Sequence, residues 1–141
     1  MERLVLWDPI VNGKTYLAEL ADRHRAFFQS RPKPRDLAEP DPSGELMGFP
    51  VTPGLRTEIE ALDLLTISRS PARKILLLSS DGNAAVLALR DHLERLAEGL
   101  AYQHIPGSKV WLKEEDEISQ VVVPQAMVKA IAAWLLSLIH I

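Results

Sequence analysis

The sequence predicts an α/β domain, a parallel sheet layered between helices. Three observations lead there: the unbroken apolar runs at residues 4–7 and 75–78, a third short strand at 100–105, and the helical stretches alternating with them. Strands covered on both faces read as continuous apolar runs, whereas a half-exposed strand alternates. Strand–helix alternation of this kind builds parallel β-α units with right-handed crossovers.

The first run, Leu4-Val5-Leu6-Trp7, is stopped by Asp8 and Pro9. Its apolar character on both faces suits a central strand, yet no earlier residue is present to pair with it. The chain is therefore expected to be a fragment. Residues 14–29 read as a helix, with Tyr16, Leu17, Leu20, Phe27 and Phe28 near one face and Glu19, Asp22, Arg23 and Arg25 elsewhere. Pro32, Pro34, Pro40 and Pro42 exclude a regular element from 31–42, which is expected to be a mobile insertion. A second helix opens with Thr52 as N-cap and Pro53 at its first position, carrying Leu55, Ile59, Leu62 and Leu65 as its apolar face.

The run Ile75-Leu76-Leu77-Leu78 ends at Ser79-Ser80-Asp81-Gly82. Residues 83–98 predict a helix that turns Val86, Leu87, Leu89, Leu93 and Leu96 inward, with Gly99 just past its end. The strand at 100–105 is broken by Pro106-Gly107. An acidic loop follows at Glu114, Glu115, Asp116 and Glu117. Pro124 then starts a last helix with Met127, Ile131 and Trp134 or Leu135 on its buried stripe.

Composition narrows the function classes. The 141 residues hold 16 Lys plus Arg against 19 Asp plus Glu, a net charge of −3, without the basic footprint of a nucleic-acid binder. There is no cysteine, which excludes disulfides, thiolate metal sites and a Cys nucleophile. The start lacks the pattern of a secretory leader, and the apolar tract 130–141 is too short to span a bilayer. A cytoplasmic protein without a membrane span is expected.

The segment Leu4-Val5-Leu6-Trp7-Asp8-Pro9-Ile10-Val11-Asn12-Gly13, followed by Tyr16-Leu17, resembles the sixth strand and following turn of an α/β-hydrolase. The nearest subgroup is the exosortase A system-associated hydrolases, relatives of the serine-aminopeptidase-like hydrolases. Gly48-Phe49-Pro50-Val51-Thr52-Pro53-Gly54-Leu55 is similar to the end of their cap insertion. Residues 75–80 resemble strand seven, 102–107 strand eight and 124–135 the closing helix. The resemblance implies that 1–135 is the C-terminal part of one hydrolase domain, with 14–70 a cap-like insertion. Residues 136–141 resemble instead the translation of a sequencing-adapter end.

Such hydrolases use Ser, then Asp or Glu, then His, with the Ser on a Gly-x-Ser-x-Gly turn. That turn does not occur in this sequence, and family order places it before Met1. For the acid, the resemblance offers Asp81 after strand seven and Asp8 after strand six. Both also stand in ordinary turn dipeptides, Asp81-Gly82 and Asp8-Pro9, whose carboxylates can bond nearby backbone. The family histidine follows the Ile-Pro-Gly turn, where this sequence has Val110 and Trp111. His104 lies before that turn, inside the strand, where a strand or surface histidine is the plainer reading. His24 and His92 lie on charged helix faces and are expected to be solvated.

The carboxylates at 114–117 lack metal-ligand spacing, so no metal or cofactor is expected. The resemblance implies hydrolysis of a carboxylic ester or related acyl bond in the intact parent, acting on a small acyl substrate. A different reading is a catalytically degenerate relative that serves as a binding or scaffold protein. A third is a small α/β module complete as written. The open edge of the strand at 4–7 also invites self-association.

Overall fold

A computed structural model describes residues 1–30, 44–107 and 124–137. In chain order its elements are β1 (Arg3–Trp7), α1 (Gly13–Ser30), β2 (Glu45–Leu46), β3 (Phe49–Pro50), α2 (Pro53–Glu60), β4 (Lys74–Ser79), α3 (Ala84–Glu94), β5 (Gly99–His104) and α4 (Gln125–Ser137), with a 3-10 turn at Leu64–Thr66. They fall into two units, one of Met1–Pro9 with Leu65–Ile141 and one of Ile10–Leu64. The proline-rich stretch 31–42, the acidic loop 114–117, the positions of Val110 and Trp111, and the last four residues of the chain lie outside the described residues.

The first unit is a mixed α/β arrangement around a three-stranded sheet in the order β1-β4-β5. All pairings are parallel, with Leu4 opposite Ile75 and Ser79 opposite His104. The three expected strands thus form adjacent parallel neighbours, β4 in the centre. Ile75, Leu76, Leu77 and Leu78 have no solvent exposure. Leu76 and Leu78 share a cluster with Met127, extended by Ala130, Ile131 and Trp134 of α4 and by Val5, Trp7, Ala101 and Ile105. Of the two candidates for the end of that stripe, Trp134 packs and Leu135 is exposed.

Alternation along β4 turns Ile75 and Leu77 to the other face. Tyr102 is the partner of Leu77, and the Arg90 guanidinium of α3 lies 5.6 Å from the centre of its ring. Helices α3 and α4 therefore cover opposite faces, as the unbroken apolar run of β4 requires. Helix α3 buries Val86, Leu89 and Leu93, each side chain contributing roughly 1.5–3 kcal/mol when fully buried.

Three details of α3 differ from expectation. The helix stops at Glu94, not at residue 98, where the chain tightens and the Leu96 N–H donates to the Leu93 carbonyl three residues back. Gly99 does not cap it. Its N–H donates to the Arg73 carbonyl, which makes it the first residue of β5. His92 is half-buried rather than solvated, its Nε2 lying 2.8 Å from the Ile67 carbonyl oxygen. At the amino ends of the strands Arg73 bonds Glu98 and pairs with Glu2. The hydrogen bond to Glu98, then the charges of both carboxylates, raise the Arg73 guanidinium above its ordinary value.

The second unit packs α1 and α2 around the two-stranded β2–β3 hairpin. Asn12 starts α1 by accepting the Thr15 N–H and donates from its amide to Asp63. Leu17, Leu46 and Val51 form the core, with Leu20, Ala21 and Ile59 against them. A Cβ on Gly13 would lie 1.8 Å from the Ile59 carbonyl oxygen, so the start of α1 meets the backbone of α2 directly. Thr52 caps α2 through the Leu55 N–H and Pro53 occupies its first turn, as expected.

The expected stripe of α2 does not form. Ile59 packs, but Leu55, Leu62 and Leu65 are exposed. The helix ends at Glu60 because the chain beyond it pairs with residues 11–13: Leu62 accepts the Gly13 N–H, and Leu64 donates to Val11. His24 also departs from expectation. It is buried, and its Nδ1 accepts the Met47 N–H at 3.0 Å. Among the described residues, no helix is long and apolar enough to cross a membrane.

Candidate functional site

Because β1, β4 and β5 run in the same direction, the residues at their carboxyl ends share one edge of the sheet. Open parallel sheets bind their ligands at that edge, where loops and helix N-termini converge. All three residues singled out in the sequence stand there: Asp8 just after β1, Asp81 just after β4 and His104 at the end of β5.

Asp8 adopts φ 42, the left-handed region that short polar side chains tolerate better than most. Its N–H continues the ladder to the Leu78 carbonyl at 3.0 Å. Its carboxylate accepts the Ser80 N–H at 2.7 Å and the Ser80 hydroxyl at 2.8 Å. Ser80 is buried, so both donors are satisfied by this one side chain. Asp8 ties the end of β1 to the loop after β4.

Asp81 is exposed and belongs to the turn between β4 and α3. Ser79, fully buried, donates its hydroxyl to Asp81 Oδ1 at 3.3 Å and accepts the Gly82 N–H at 2.9 Å. Asp81 Oδ2 accepts from the Asn83 side-chain amide at 2.9 Å, and Asn83 in turn caps α3 by accepting the Val86 N–H. Gly82 has φ 56, and a Cβ there would stand 2.9 Å from His104 Nδ1. Only glycine meets both demands. The His104 ring therefore lies against the turn that carries Asp81.

His104 is exposed at the end of its strand, as a strand or surface histidine. Its ring nitrogens can donate or accept a hydrogen bond at that edge. The two serines have different work. Ser79 and Ser80 direct their hydroxyls at Asp81 and Asp8, and neither stands on a nucleophile turn. No group of three metal-ligating side chains assembles among the described residues.

Asp8 and Asp81 stand just past strand ends as expected, whereas His104, expected inside its strand, is the last residue of β5; Ser79, Ser80 and Asn83, the donors that fix the two carboxylates, were not foreseen. Asn83 ahead of an apolar-periodic run was a legible cap. The reach of Asp8 to Ser80 had no local signal. Comparison with family models, with curated proteins and with solved structures finds no match to this chain.

Proposed function

We propose that this chain contributes the acid and histidine side of a serine-type α/β-hydrolase acting on a carboxylic ester or related acyl bond. The nucleophile would come from a segment not contained in these 141 residues. The observation that carries the reading is the gathering of Asp8, Asp81 and His104 at one edge of three adjacent parallel strands, acids ahead of histidine in the chain. In that reading His104 takes the proton of the attacking serine and returns it to the leaving alcohol. Asp81 orients the ring, and Asp8 holds the loop that carries Asp81. The helices on opposite faces of the sheet then correspond to two of the outer layers of the hydrolase fold.

A second reading, a binding or scaffold protein that has lost catalysis, is favoured by one specific observation. Both carboxylates are already engaged by the chain's own donors, Asp8 by Ser80 and Asp81 by Asn83.

The discriminating experiment expresses the coding sequence upstream of Met1 in frame with this chain and assays activated short-chain esters. The hydrolase reading expects a Gly-x-Ser-x-Gly turn in the added segment and turnover that His104→Gln lowers by about 10²–10⁴-fold. An extended product without a nucleophile, or turnover indifferent to both His104→Gln and Asp81→Asn, overturns it in favour of the binding reading.

A further inference from the structure

The β2–β3 hairpin turns in two residues, Met47 and Gly48, with φ of 51 and 85. This is the mirror-image turn whose twist suits an antiparallel pair, and its first position usually holds Asn, Asp or Gly. A methionine there is held in a region its side chain disfavours. Something must fix it. The amide of the first turn residue has no partner across such a hairpin, and the Met47 N–H donates instead to His24 Nδ1 at 3.0 Å. The His24 ring is 2% exposed and lies 4.8 Å from the Phe28 ring, centre to centre. A backbone N–H only donates, so Nδ1 presents a lone pair to the Met47 amide.

We propose that His24 is an acid-sensitive latch: neutral, it holds the Met47–Gly48 turn against α1, and a proton on Nδ1 releases it. Protonation sets a donor against a donor and puts a charge in a buried ring, both costly unless the turn moves away. Leu46 and Val51, on either side of the turn, share the core with Leu17, so release loosens the packing of this unit. The latch stands independently of the hydrolase reading.

Among the described residues, the charged groups on the elements packed against α1 are Glu45 of β2 and Arg56, Glu58 and Glu60 of α2. Arg56 pairs with Glu60. On α1 itself Arg23 and Arg25 flank His24 in sequence, and Arg25 pairs with Asp22. Glu45, half-buried and two residues before Met47, is the carboxylate whose own protonation must be separated from that of His24.

The test follows the ¹⁵N-labelled chain by NMR from about pH 8 to about pH 4, reading the His24 ring nitrogens and amide exchange at Met47 and Leu17, corrected for intrinsic rates. Nδ1 should be unprotonated at the upper limit. Its protonation should raise Met47 exchange about tenfold, the equivalent of one hydrogen bond lost, before Leu17 exchange changes. Glu45→Gln should keep this response. His24→Asn, which offers an oxygen acceptor that does not titrate, should abolish it. A proton on Nδ1 at neutral pH, Met47 exchange unchanged while the ring protonates, or no ring protonation before the whole unit unfolds would each overturn the latch.

Discussion

Asp8 and Ser80, 72 positions apart in the chain, are joined twice: one carboxylate accepts both the amide and the hydroxyl of the serine. This is how the loop after the central strand is fixed to its neighbour at the edge where the candidate site lies. The pair is also the reason Asp8 can persist at a positive φ, since the two hydrogen bonds define where its side chain must stand.

Removing the acceptor should therefore cost more than removing one donor. Asp8→Ala leaves the buried amide and hydroxyl of Ser80 without a partner, an expected loss of about 1–3 kcal/mol. Ser80→Ala should cost about 1 kcal/mol, and Asp8→Asn should fall between, because an oxygen acceptor remains without the charge. Thermal unfolding of the three variants gives the ranking. Asp8→Ala no less stable than Asp8→Asn would show that the clamp carries no energy.

Gly82 and His104 make a second testable pair. Gly82→Ala meets both an unfavourable φ, costing about 1–2 kcal/mol, and the His104 ring. His104→Ala in the same chain should recover the steric part and leave the backbone part, a positive coupling in a double-mutant cycle. Additive effects would place the ring elsewhere in solution.

How far the sequence could be read depended on whether the cause was local. The three strands and their parallel sense were legible because the first two apolar runs are continuous and all three strands end at a turn signal: Asp8-Pro9, Asp81-Gly82 and Pro106-Gly107. Thr52 and Pro53 marked a helix start for the same reason. The hairpin was not legible, since its strands are two residues long and its turn is Met-Gly rather than Asn-Gly. His24, between Arg23 and Arg25, carried the mark of a solvated face. Its burial depends on Met47, a partner 23 positions away. The lengths of α2 and α3 were overread because leucines beyond their ends kept the helical spacing, while the backbone there pairs elsewhere: Leu62 with Gly13, and Gly99 with Arg73. At the site, His104 was expected inside its strand, while the positions of Asp8 and Asp81 just past strand ends were legible. The donors that hold the two acids were not.

The outer edge of β1 should drive self-association. Among the described residues the sheet continues from β1 on the β4 side alone, and Leu4, Val5, Leu6 and Trp7 are half-buried where the β4 residues are fully covered. An exposed strand edge offers a ladder to another chain. Ladder alternation, fixed by Asp8 donating to Leu78 and Lys74 to Glu2, turns the Val5 N–H away from β4. Sedimentation should show association that grows with concentration and weakens in Val5→Pro, which removes that donor. A monodisperse monomer across the range would mean that the edge is protected.

The proposal to be tested is that this chain carries the acid and histidine side of an acyl-transfer site and, among the described residues, no poised nucleophile. Ser79 and Ser80, the hydroxyls at that edge, are directed at Asp81 and Asp8 rather than held ready to attack. The most direct measurement incubates the purified 141-residue chain with activated short-chain esters, with and without a serine-directed fluorophosphonate. The expected result is turnover no higher than a protein blank and no labelled serine. Turnover abolished by the fluorophosphonate, with label on Ser79 or Ser80, would contradict the claim, because it requires a nucleophile assembled within this chain.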